Sequence, residues 1–188
     1  MSVTPFWQPA RMCRVCEGFS FEDSILLDAA SLAEYGYIMS GVRGDTDEGI
    51  PPWLYTVGLL DVADHPEMIV AGPSTDSSAR VVHMLARRVI DGERFMVGDN
   101  IDIGLGKACV GAVHPIQYEL DTFNVWHELQ HIGAVEALEL TAVQIYLPDE
   151  MFCPEHRETQ PVLADVDARV DPPRRRPYRA ERRRRRKD

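Results

Sequence analysis

The chain has 188 residues, 45% of them hydrophobic, with a formal net charge of −10, which suits one globular domain with an appendage. It has no run of about 18 apolar residues, so no membrane helix is expected. Its first residues, Met1-Ser2-Val3-Thr4-Pro5, carry neither the basic nor the apolar region of a secretory signal, so a cytoplasmic protein is expected, with its four cysteines as reduced thiols or metal ligands.

Charge is unevenly placed. Residues 174–188 hold nine Arg and one Lys against Glu181 and Asp188, a net of +8. The remaining residues keep ten basic and 28 acidic side chains, a net of −18. Such a body repels nucleic acid, whereas the tail attracts it.

In chain order, residues 1–20 read as an irregular arm containing Cys13-Arg14-Val15-Cys16. A helix is expected over 22–36, with Ile25, Leu26 and Leu32 on its apolar stripe and Gly36 as its stop. Residues 37–42 read as a strand, and 41–52 as a polar loop ending in Pro51-Pro52. Two β-rich runs follow, 53–59 and 67–71, joined by a connector over 61–66. Ser74 or Thr75 can cap a helix reaching Ile90, with Val81, Val82, Leu85, Ala86 and Val89 on one side. Residues 94–120 read as two or three strands, 122–132 as a helix and 140–147 as a final strand. Helices and strands mix without regular βα alternation. An α+β fold is therefore expected over 21–165: one compact domain, its mixed or antiparallel sheet packed by two to three helices. Beyond it, 166–188 has few apolar residues and is expected to be a disordered tail.

Tyr55-Thr56-Val57-Gly58-Leu59, followed by His65-Pro66-Glu67 and the strand Met68-Ile69-Val70, resembles the core of an uncharacterised bacterial family, domain of unknown function 4262. Cys13 and Cys16, the Gly36-Tyr37 pair, Gln144 with Pro148-Asp149, and Gln160-Pro161-Val162-Leu163 fit the same pattern in order. The resemblance covers roughly residues 12–165. It implies a compact α+β domain and no established activity. The arginine-rich tail lies outside it. So does Phe152-Cys153-Pro154-Glu155, which stands where the family tends to have a Trp-bearing turn.

Four constellations carry candidate chemistry. Tyr55, Thr56, His65 and Glu67 would line one ligand pocket if their strands are neighbours, with His65 as the proton carrier; as good strand and turn residues they also serve structure alone. His127-Glu128-Leu129-Gln130-His131 is a literal H-E-x-x-H. On a helix it sets two imidazoles on one face as zinc ligands, with Glu128 as base. No third ligand is announced by spacing; Glu150, Cys153, Glu155 and His156 are the candidates. Cys13, Cys16, Cys153 and His156 form a second possible zinc set, a tetrahedral Cys3His joining the two ends of the domain. Finally, Arg174, Arg175, Arg176, Arg179, Arg182, Arg183, Arg184, Arg185, Arg186 and Lys187, with Tyr178 able to stack, suit a phosphate backbone. The tail's partner is then nucleic acid, another acidic protein, or the chain's own acidic body. The expected function is an interaction protein with a polyanion-binding tail; the alternative is a zinc-dependent hydrolase using His127, His131 and Glu128. Oligomeric state cannot be read from the sequence.

Overall fold

A computed structural model describes residues 18–42, 44, 51–72, 75–119, 121–148, 160 and 163. The cysteine set at 13, 16, 153 and 156 and the tail 166–188 lie outside the described residues.

Helix α1 (Phe21–Tyr35) begins where Ser20 and Asp23 form a capping box, the Ser20 hydroxyl accepting the Asp23 N–H at 2.9 Å. It ends at Gly36, whose φ of 79° is the left-handed conformation that terminates helices. Strand β1 (Ile38–Val42) follows, then β2 (Trp53–Val57), the short helix α2 (Leu59–Ala63) and β3 (Glu67–Ala71). Helix α3 (Thr75–Ile90) leads to β4 (Asn100–Asp102) and β5 (Lys107–Ala112). The turn α4 (Ile116–Glu119), a 3-10 turn at Asp121–Phe123 and helix α5 (Asn124–His131) precede the last strand, β6 (Ala142–Tyr146).

The six strands form one mixed sheet in the order β1-β2-β3-β6-β5-β4. Only β3 and β6 run parallel. Every residue of β2 and β3 is buried, which requires cover on both faces, and the side-chain alternation supplies it. Trp53, Tyr55 and Val57 of β2 pack with Ile25 and Leu32 of α1 and with Val125, Trp126 and Leu129 of α5. Leu54, with Met68 and Val70 of β3, packs on Val81, Val82, Leu85, Ala86 and Val89 of α3. The chain is thus an α+β domain in three layers.

Three local readings change. Residues 59–63 form a helix, not part of a strand and a connector. The stretch 94–120 holds two strands, and its end is the helical turn α4. The expected helix over 122–132 splits into a 3-10 turn and α5.

Candidate functional site

The β2-α2-β3 corner gathers the first candidate residues. The β2–β3 ladder ends at the pair Tyr55–Ile69. Beyond it the Thr56 hydroxyl takes the place of a backbone carbonyl, accepting the Met68 N–H at 2.9 Å and donating to Glu67 Oε2 at 2.6 Å. Glu67 Oε1 accepts the N–H groups of Gly58 at 2.8 Å and Leu60 at 3.3 Å. The carboxylate therefore caps the N-terminus of α2, where the helix has free N–H groups and no side-chain cap of its own. Burial pushes the Glu67 carboxyl up to about 7, against the hydrogen bonds from Thr56 and the backbone that favour its anion.

Gly58 makes this corner possible. Its φ is 112°, and a Cβ there would stand 2.6 Å from the Gly36 carbonyl oxygen and 2.6 Å from Leu32 Cδ1. Only a glycine lets α2 start against the end of α1.

His65 is 1% exposed. Its Nδ1 donates to the Pro66 carbonyl at 2.6 Å, and its Nε2 accepts the Phe95 N–H at 3.1 Å. Those partners assign a neutral tautomer, and burial lowers the pKa further in that direction. The ring meets Phe95 edge-on at 5.8 Å. Arg94 reinforces the same junction, donating to the carbonyls of Ala63 and Asp64. His65 thus fastens the turn before β3 to the loop after α3.

Tyr55 points to the opposite layer. Its hydroxyl donates to Asn124 Oδ1 at 3.1 Å and accepts the Val125 N–H at 3.0 Å, at the start of α5. Burial drives its phenol far above the ordinary value. The structure therefore brings Thr56 and Glu67 together, sets His65 on a separate bond to Phe95, and sends Tyr55 to α5. The sequence reading missed Asn124 and Phe95. An Asn that opens a helical stretch is a start signal, but nothing near Phe95 announces its role.

Two glutamines of the resemblance act in the same manner. Gln144 accepts the Leu163 N–H at 2.8 Å. Gln160 clasps the N–H and carbonyl of Leu147 at 2.9 and 2.8 Å. Together they fasten residues 160 and 163 to β6 and to the residue that follows it.

The H-E-x-x-H sequence does lie on a helix. His127, Glu128 and His131 are exposed on α5, while Leu129 is buried beneath them. With Gln130 they line a depression of about 490 Å³. His127 Nε2 donates to the Tyr118 carbonyl at 2.8 Å, leaving Nδ1 as its ligating atom. Among the described residues no three His, Cys, Asp or Glu side chains are placed to hold a metal ion, and Glu150, Cys153, Glu155 and His156 lie outside them. No helix among the described residues is long and apolar enough to cross a membrane.

No curated protein and no solved structure matches the chain. A family does, over residues 31–151, a span that holds the Tyr55–Leu59 motif, His65-Pro66-Glu67 and Gln144 and leaves out Cys13, Cys16 and Gln160. With well over half of its length matched, the chain belongs to the family described as Domain of unknown function (DUF4262).

Proposed function

We propose that this chain is an interaction protein, its folded domain a rigid scaffold and its arginine-rich tail the element that contacts a polyanion, with nucleic acid as the fitting class. One observation carries the scaffold half. Every polar side-chain atom of Tyr55, Thr56, His65 and Glu67 is engaged by another group of the protein, so the family's central motif has no group left over for a substrate. The charge split of −18 against +8 supports the other half. Binding of this kind is blind to sequence and steep in salt. If about six to ten phosphates are contacted, affinity falls by roughly 10³–10⁵ between 50 and 200 mM salt. The test is titration of fluorescent duplex and single-stranded oligonucleotides with the full chain and with a chain ending at Asp171. Equal binding by the two rejects the tail as the contact.

A second reading keeps the hydrolase, favoured by the exposure of His127, Glu128 and His131 around one depression. A catalytic zinc takes three protein ligands and a water, so this reading needs a third ligand from outside the described residues, for which Glu150, Cys153, Glu155 and His156 are the candidates. Metal analysis of the purified protein separates the cases. Zinc lost in His127→Ala or His131→Ala supports it. Zinc lost in Cys13→Ala supports the Cys3His set instead, and no zinc removes both.

A further inference from the structure

Charge is segregated between the layers of the domain itself. Among the described residues the Lys and Arg side chains are Arg80, Arg87, Arg88, Arg94 and Lys107, all between the start of α3 and the start of β5. The described segments 18–42, 51–72, 113–119 and 121–148 contain none. On the layer made by α1, α5 and the loop after α5, Glu22, Asp23, Glu34, Glu128, Glu136 and Glu139 are exposed. The surface is continuous, because α1 packs against α5 and the Asp61 carboxylate of α2 accepts the N–H groups of Glu136 and Ala137. Apolar side chains stand open among the acids. Leu26 is 57% exposed and Leu138 92%, with Leu27, Tyr35 and Ile132 also exposed.

We propose that this face, acidic and without Lys or Arg among the described residues, is the docking surface for the chain's own segment 174–187. Charge complementarity is the first argument. Arginine pairs its guanidinium with carboxylates and lays its methylene stem on apolar surface, and the face offers both. Position is the second. Leu163 is fully buried in the core cluster shared by α1 and α5, and its carbonyl accepts the His114 N–H at 2.9 Å. The tail is therefore tethered to a residue of this layer. From Leu163 to Arg174 is eleven residues, a reach of at most about 36–40 Å. Helix α1, with 15 residues, is only about 22 Å long, so the whole face is within range. The tether keeps the tail at high local concentration. The face and an external polyanion then compete for the same arginines. Docking itself does not depend on the nucleic-acid reading.

The test is the rate at which trypsin cuts the tail of the full chain, measured against a free peptide of residues 172–188 in the same buffers. Salt is set at about 10 mM and about 0.5 M, on either side of the ~10 Å screening length of 0.1 M. At low salt the tail is cut roughly tenfold more slowly than the peptide, as a few weak ion pairs on a short tether would give; at high salt the two rates meet. The triple variant Glu34→Gln, Glu136→Gln, Glu139→Gln loses the protection at low salt. The double variant Asp76→Asn, Asp91→Asn, which removes acids at the two ends of α3, keeps it. A wild-type tail cut as fast as the peptide at low salt overturns the proposal. Equal loss of protection in both variants overturns it too, because charge count rather than this face would then govern. Protection that disappears on hundredfold dilution assigns the contact to a second copy and overturns docking in cis. Oligonucleotide binding is scored separately: its absence rejects the proposed function and leaves the docking intact.

Discussion

The corner between β2 and β3 and the outer face of α5 each gather titratable side chains within a few residues, and the fold treats them in opposite ways. At the corner, Thr56, Glu67 and His65 are buried and every polar side-chain atom has a partner inside the protein. On α5, His127, Glu128 and His131 face outward, and among the described residues only His127 holds another element, through the Tyr118 carbonyl. The corner looks like a catalytic cluster and works as a joint. The helix face spells a familiar catalytic motif without three metal-holding groups assembled among the described residues. Proximity of chemically able groups is therefore a poor guide to chemistry until their remaining hydrogen-bonding capacity is counted.

Substitutions can break this contrast. The largest effect belongs to Gly58→Ala, which puts a methyl group 2.6 Å from a carbonyl oxygen at a φ of 112°; it should cost about 3–5 kcal/mol in denaturant unfolding, and a loss below about 1 kcal/mol would mean the corner is not the rigid joint described. Glu67→Ala comes next. It strands the buried N–H of Gly58 and removes the partner of the half-buried Leu60 N–H, at about 3 kcal/mol.

Titration sharpens the same point. Folding raises the Glu67 carboxyl from 4.5 to about 7, so the folded chain holds that proton more tightly than the unfolded one. The resulting stabilisation is complete below pH 4.5 and is lost as pH rises through 7. It amounts to about 3 kcal/mol. His65 slopes the other way, because its folded pKa is lowered from 6.5. Its contribution is present above pH 6.5 and is lost as pH falls. The difference in stability between wild type and Glu67→Gln isolates the first slope; a difference that stays constant from pH 4 to 8 contradicts it. The smallest effect is on α5, where His131→Ala should shift stability by no more than about 0.5 kcal/mol. A thermal melt showing a much larger loss would reveal a partner for that imidazole.

Much of the fold was legible where a residue's local preference and its tertiary role agree. Strand β3 falls on the residues read as β-rich, and Gly36 ends α1 as glycines do. The sequence does not separate a mixed sheet from an antiparallel one, because the parallel pairing of β3 with β6 joins segments some 75 residues apart. Helix α2 was missed for a definite reason. Its N-terminus is capped from β3 by Glu67 rather than by a neighbouring side chain, so its sequence carries no start signal. The tail end of 94–120 misled because Ile116 and Tyr118 are good strand residues, whereas backbone bonds from Gln117 to His114 and from Tyr118 to Pro115 turn the chain into a helical coil. Of the first candidate site, the residue types are readable in the sequence, while the pairing of β2 with β3 enters there only as a condition. That Tyr55 turns to Asn124, 69 residues on, is not readable, since no local signal reports a long-range bond.

The anchoring of α5 has a consequence for how this protein can change over generations. The helix is bolted at its start by Tyr55 and by Trp53, whose indole donates to the Thr122 carbonyl at 3.0 Å. At its far end Gln130 donates to the carbonyls of Ala137 and Leu138. Among the described residues, the hold on this helix thus resides in positions other than 128 and 131. Both positions face outward, where a histidine or glutamate puts no strain on the core. A two-histidine face on a fixed helix is raw material: a motif can be present before any selection for its chemistry, and one further ligand from a neighbouring loop would be enough to put it to use.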